Sequence, residues 1–246
     1  VYKRQFYTND AGMLITPEKL EFGKGYSLKE VFAPYGYVLS HEAVKFDVTE
    51  DNSTEESGVT VVAVKLGNYA QKGIIKISKT GEVFASVAAA DGVYQPVYTV
   101  QGLAGATYEI KAAEDIYTPD GTLRCSAGEV VDTVTTGADG MAESKPLYLG
   151  KYEITEMKAP DGMVINKDAH TAELVYAGQE IEITETAASF CNDRQKARIS
   201  LSKVLEQNKQ FGIGMNNELS AVTFGFYAAE EPVSYTHLTL PTSDLV

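Results

Sequence analysis

Three polar residues stand where the alternation of this chain calls for apolar ones. In residues 73–79, GIIKISK, Lys79 shares a face with Ile75 and Ile77. In residues 150–158, GKYEITEMK, Glu156 recurs in phase with Tyr152 and Ile154, and Asn192 follows Phe190 on the same phase. Period-two spacing is the signature of a strand, so all three point where the apolar residues point, into a core. Buried lysine and glutamate are rare unless paired.

Burial beside one another gives these groups a chemistry. Removal from water disfavours the charged forms of both amine and carboxylic acid, so a lysine and a glutamate can meet as neutral amine and neutral acid. A neutral amine is a nucleophile. A protonated carboxyl can donate to the asparagine and pass its proton to departing ammonia, which is general acid and base work at one group. The product would be a Lys79–Asn192 isopeptide bond, formed once by the domain on itself. The alternative for the same residues is a hydrogen-bonded polar cluster with no covalent bond.

The elements that position them recur along the chain. GYSLKEVFAPYGYVL at residues 25–39 is an earlier copy of GKYEITEMKAPDGMVI at 150–165, with Tyr26, Leu28 and Glu30 in the places of Tyr152, Ile154 and Glu156. ARISLSK at 197–203 repeats GIIKISK and brings Lys203 into phase, and LSAVTFGFYAAEE at 219–231 repeats LAGATYEIKAAED at 103–115. Val62, Val64 and Leu66 alternate up to Asn68, which precedes Lys79 by eleven residues, as Asn192 precedes Lys203. Such internal periodicity marks an array of repeats. The expected organisation is the end of a first repeat at 6–71, a complete one at 72–195 and the start of a third at 196–232. Glu30, Asn68 and Lys203 are then partial neighbouring sites. Strands are expected at 44–48, 62–68, 73–79, 106–112, 129–135, 171–176 and 180–184, the last two joined by a turn at Ala177–Gly178. Ile181 and Ile183 are out of phase with Phe190 and Asn192, which predicts a break at 185–187. Residues 80–102 read as a long polar connection.

Composition narrows the function. Of 246 residues, 15 are Tyr and none is Trp, and Gly is frequent, which suits β structure. The formal net charge of −13 argues against nucleic acid as a partner, because phosphate binding needs a basic face. No apolar run has membrane-spanning length, so the fragment is read as not membrane-embedded. His41 and His170 lie in no metal or nucleophile pattern, and Cys125 and Cys191 have no metal-type spacing. No cofactor is expected. The ends, VYKRQ at 1–5 and VSYTH at 233–237, can be written as reverse complements of one DNA word, as read-through of a sequencing adapter gives. Residues 1–5 and 233–246 are therefore set aside.

The run from IIKISK through LAGATYEI, TTGADG and GKYEITEMKAPDGM to the closing FCND resembles the Cna-B-type, or SpaA-like, prealbumin-fold repeat domains of Gram-positive surface proteins and pilins. The resemblance covers nearly all of residues 6–231. It implies an all-β chain of tandem immunoglobulin-like, prealbumin or transthyretin-type β-sandwiches. It also implies that Lys79 and Asn192 are isopeptide partners promoted by Glu156. Met163 stands where the family's box ends in Tyr, although Tyr37 keeps it in the first copy. The implied role is a structural stalk at the extracellular, cell-wall surface, with neighbouring repeats of the same chain as partners. An adhesive module contacting a host protein or glycan through residues 80–102 is the alternative. Turnover catalysis is not implied. Leu240–Thr242 lacks the glycine and hydrophobic tail of a sortase signal, and no pilin-type polymerisation lysine is evident.

Overall fold

The computed structural model describes residues 4–49, 54–56, 59–90, 93–214 and 222–224, and among them there is no helix. The chain is all-β and divides into two compact units, residues 1–71 with 177–182, and residues 72–176 with 183–246.

In the first unit, β1 (Gly23–Leu28) pairs antiparallel with β2 (Val44–Val48), and Tyr26 stacks on Phe46 with ring centroids 5.7 Å apart. Such cross-strand aromatic pairs are the unit of sheet stabilisation. A short ribbon, β3 (Thr54–Glu56) with β4 (Val59–Val61), follows. The strand expected at 62–68 does not form. Val62, Val64 and Asn68 are still half-buried in alternation, but among the described residues no neighbour offers this stretch a ladder. Gln71 is buried, its amide accepting from Ala177 N and donating to Gly178 O and Ile181 O.

The second unit is a sandwich of two sheets. One is centred on β5 (Lys72–Ala90), which pairs antiparallel with β6 (Val93–Gly102). The other begins with β7 (Thr107–Ala112). A small ribbon of β8 (Ile116–Tyr117) and β9 (Leu123–Cys125) precedes β10 (Val130–Thr135). β11 (Met141–Glu143) and β12 (Leu147–Tyr148) join β5, and β13 (Gly150–Lys158) and β14 (His170–Leu174) complete the second sheet in the order β10-β7-β13-β14. β15 (Ile183–Asn192) returns to lie parallel to β5. Inward residues of both sheets make one core: Ile75, Ile77 and Ala188 from the first, and Tyr108, Ile110, Tyr152 and Ile154 from the second.

Three expectations are corrected. Residues 80–102 are not a polar connection but the outer part of a β5–β6 hairpin. Its base is held by Arg194, which donates to Glu82 at 2.9 Å and lies 3.5 Å over the Tyr98 ring. The strand expected at 180–184 as a hairpin partner of 171–176 instead starts at Ile183 and pairs with β5, through an unbroken register from Ile183↔Lys72 to Asn192↔Gly81. No bulge interrupts it. Ile181 and Ile183 were out of phase because they face outward, while Thr184, Ala188 and Asn192 are buried. Finally, residues 197–203 form no strand and Lys203 is exposed. Residues 73–79 have β15 on one side and β11 and β12 on the other, whereas 197–203 have no paired neighbour among the described residues. A lone strand leaves its backbone groups unpaired. Of the repeated stretch at 219–231, only residues 222–224 lie among the described residues, and they are not in a strand.

Candidate functional site: a buried lysine, glutamate and asparagine

Each of the three residues reaches the core by the alternation of its strand. Lys79 follows Ile75 and Ile77 on the inner face of β5 and is 1 % exposed. Its backbone is fixed at both ends: its N–H donates to Gly140 O at 2.8 Å, and its carbonyl accepts from Leu103 N at 2.9 Å. Gly140 has φ +77°, and a Cβ there would lie 2.4 Å from Lys79 O, so the ADG turn can approach only because it carries no side chain. Glu156 ends the inward series Tyr152, Ile154, Glu156 of β13, and Asn192 is the last residue of β15; both are buried.

The side chains converge. Lys79 Nζ lies 3.0 Å from Glu156 Oε1 and also donates to Asn192 Oδ1. Asn192 Nδ2 donates to both Glu156 oxygens at 2.9 Å, and Asn166 N donates to Glu156 Oε2 at 2.8 Å. Tyr108 and Phe190 form the apolar wall, their centroids 4.6 Å apart and at 5.8 and 6.0 Å from Lys79 Nζ. The arrangement sets an amine against a side-chain amide, with a carboxyl touching both the amine and the amide nitrogen, in a place closed to water. That is the geometry in which proton transfer and acyl transfer are favoured over solvated alternatives.

The first unit repeats this arrangement in part. Asn68 Nδ2 donates to Glu30 Oε2 at 2.6 Å, and Ser40 N donates to the same oxygen at 3.0 Å. Ser40 follows Glu30 by ten residues, as Asn166 follows Glu156. The turns agree bond for bond: Tyr37 N to Pro34 O and Met163 N to Pro160 O are both 3.1 Å, and Gln71 N to Gly36 O and Gln195 N to Gly162 O are both 2.8 Å. Met163 is buried in its departure from tyrosine. His41 and His170 bond to none of the three: His41 contacts Glu180 at 3.3 Å, and His170 meets Phe190 edge to face. Sequence reading missed Asn166, whose contribution is a backbone N–H and leaves no residue-type signal. It also missed Tyr108, although the alternation of TYEIKA places it inward.

A two-sheet domain whose first and last strands are neighbours, with a lysine, a glutamate and an asparagine buried between them, defines a prealbumin-like class of β-sandwich. The SpaA family model, a prealbumin-like fold domain, matches residues 1–62 and 97–187, more than half of the chain, and the chain belongs to that family. Glu30 and Glu156 lie within the match, and Lys79 and Asn192 lie outside it. The chain is 32 % identical over 74 residues to the trypsin-resistant surface T6 protein of Streptococcus pyogenes serotype M6, a stretch that covers 29 % of this chain and 14 % of that protein. It therefore spans only a small part of that relative's length. Among solved structures, the Bacillus anthracis TIE protein is 26 % identical with a TM-score of 0.43, over 76 % of this chain and 28 % of that one. The GBS52 minor pilin of Streptococcus agalactiae is 16 % identical with a TM-score of 0.35, over 65 % and 61 %. With scores this low, the assignment rests on the family match alone.

Proposed function

We propose that this chain is a structural stalk segment of a Gram-positive cell-surface protein, and that its complete domain closes a Lys79–Asn192 isopeptide bond promoted by Glu156. The observation that carries the reading is the contact of Lys79 with both Glu156 and Asn192 at a fully buried position. Proton transfer across the 3.0 Å contact turns the Lys79–Glu156 pair into amine and acid. The amine attacks Asn192 Cγ, the Cγ–Nδ2 bond breaks, and Glu156 protonates the departing nitrogen and recovers a proton from Nζ. One ammonia leaves and Glu156 returns to its acid form, so this is a single turnover. Preorganisation of this kind offsets roughly 7–11 kcal/mol of the barrier in well-oriented intramolecular reactions.

The surface location is supported by the printed name of the T6 relative as a surface protein. Intact mass is the test. The wild-type chain is expected one ammonia lighter than its sequence, and Lys79→Ala and Glu156→Ala at full mass. Full mass in all three would sink the bond and leave a polar core cluster.

A second reading, an adhesive module that grips a host protein or glycan, is favoured by the β5–β6 hairpin, where Val87, Val97 and Val100 are exposed. Shortening the hairpin and measuring adhesion separates the two: a stalk loses nothing.

A further inference from the structure

The likeness between the two units stops short of the lysine. In the first unit Asn68 Nδ2 donates to Glu30 Oε2 at 2.6 Å and to Val38 O at 3.0 Å, and Ser40 N also donates to Oε2. Among the described residues no cation pairs with Glu30. In the second unit it is the other carboxyl oxygen, Oε1, that meets Lys79 Nζ at 3.0 Å. Glu30 and Asn68 are also only half-buried, where Glu156 and Asn192 are buried. The backbone beside them is open in the same way: residues 62–68 alternate and have no ladder neighbour among the described residues. A strand added there would satisfy backbone groups that have no sheet partner, and a cation at its end would meet a carboxylate that has none.

Residues 197–203 are the converse. Ile199, Leu201 and Lys203 stand in the places of Ile75, Ile77 and Lys79. Ile199 and Leu201 are 67 % and 57 % exposed, Lys203 is exposed, and among the described residues no carboxylate pairs with it. We propose that the first unit is a docking site for residues 197–203 of a second copy of this chain, which add as a parallel strand beside 62–68 and deliver Lys203 to Glu30 and Asn68. The register is that of β5 and β15, where Phe190 lies opposite Lys79; in the docked pair Leu66 lies opposite Lys203. Resting on the isopeptide reading, the encounter ends in a bond between chains. Lys203 Nζ joins Asn68 Cγ and the Cγ–Nδ2 bond breaks. Glu30 takes two protons from Nζ in turn, giving the first to the nitrogen that leaves as ammonia and keeping the second. All of β5 to β15 separates the two half-sites along the chain, and a contact between unlike surfaces of two copies propagates head to tail.

The experiment mixes two full-length chains, one isotopically labelled: a Lys203→Ala chain that can only accept and an Asn68→Ala chain that can only donate. Products are followed by denaturing electrophoresis and intact mass. The expected product is a covalent pair of one chain of each kind, lighter by one ammonia than the two taken separately, formed faster at higher protein concentration. Peptide mapping is expected to place the link between Lys203 and Asn68, and the unmixed wild-type chain to give a ladder of longer products. Glu30→Gln in the accepting chain is expected to slow the coupling about 100-fold or more, the loss of one general acid and base. Chains that have each lost the Lys79–Asn192 ammonia but give no cross-linked pair overturn the docking proposal and leave the isopeptide reading standing. A wild-type monomer lighter by a second ammonia also overturns it, since Lys203 has then closed on its own chain. Chains that lose no ammonia, alone or mixed, overturn both.

Discussion

At Cys125, burial and then the Glu129 carboxylate push the thiol up, whereas Cys191 is exposed on the outer face of β15. The thiolate is the reactive form, so a raised thiol holds less of it at a given pH and reacts more slowly. Alkylation of the folded chain at mildly alkaline pH is therefore expected to label Cys191 well before Cys125, with the difference vanishing in denaturant; equal rates in the folded state would contradict this burial. At the same scale, the three converging residues were legible because each breaks its strand's alternation in a way no surface explains. Asn166 and Tyr108 were not, since a backbone donor has no residue type and a tyrosine on an apolar phase reads as core.

Among elements, the turn at 137–140 bears most directly on the site, because it carries the backbone of Lys79. Gly140→Ala must give up a φ of +77° and clear Lys79 O, Gly102 Cα and Leu103 N, all backbone atoms within 2.7 Å of the added carbon. The expected cost is about 2–4 kcal/mol. It is best read from urea unfolding in the Lys79→Ala background, where a covalent link cannot mask it. The strands that the alternation located well, β2 at Val44–Val48 and β13 around Glu156, each have one apolar and one polar face. The errors came where that rule lapses. Ile183 is an apolar residue on an outer face, and the β5–β6 hairpin has mixed faces along much of its length. A signal for the hairpin was present in Asp91-Gly92, a dipeptide suited to two-residue turns, between Ala90 and Val93. Residues 62–68 and 197–203 alternate correctly and still form no strand, because alternation states which way side chains would point and not whether a neighbouring strand exists.

For the whole molecule, the proposed bond would join residues 113 apart and close 79–192, which holds β6 to β15, into a covalent loop. A loop of that size lowers the entropy of the unfolded chain by the equivalent of about 4–5 kcal/mol. Thermal unfolding is expected to show the second unit losing about that much in a Glu156→Gln chain, with the first unit's transition unmoved; coincident loss from both would contradict independent closure. The likeness of 25–39 to 150–165 was legible because the two stretches share turn and strand chemistry, and their hydrogen bonds around Glu30 and Pro34 match those around Glu156 and Pro160. The direction of the last strand was not, since a phase of two is the same for parallel and antiparallel neighbours. That direction matters beyond topology. β5 and β15 run parallel in one unbroken register, so tension entering at the amino end of β5 and leaving at the carboxyl end of β15 slides the two strands past each other lengthwise. Loaded in shear, the rungs between them yield together rather than one at a time, and the domain resists extension through its topology even before any covalent link is made.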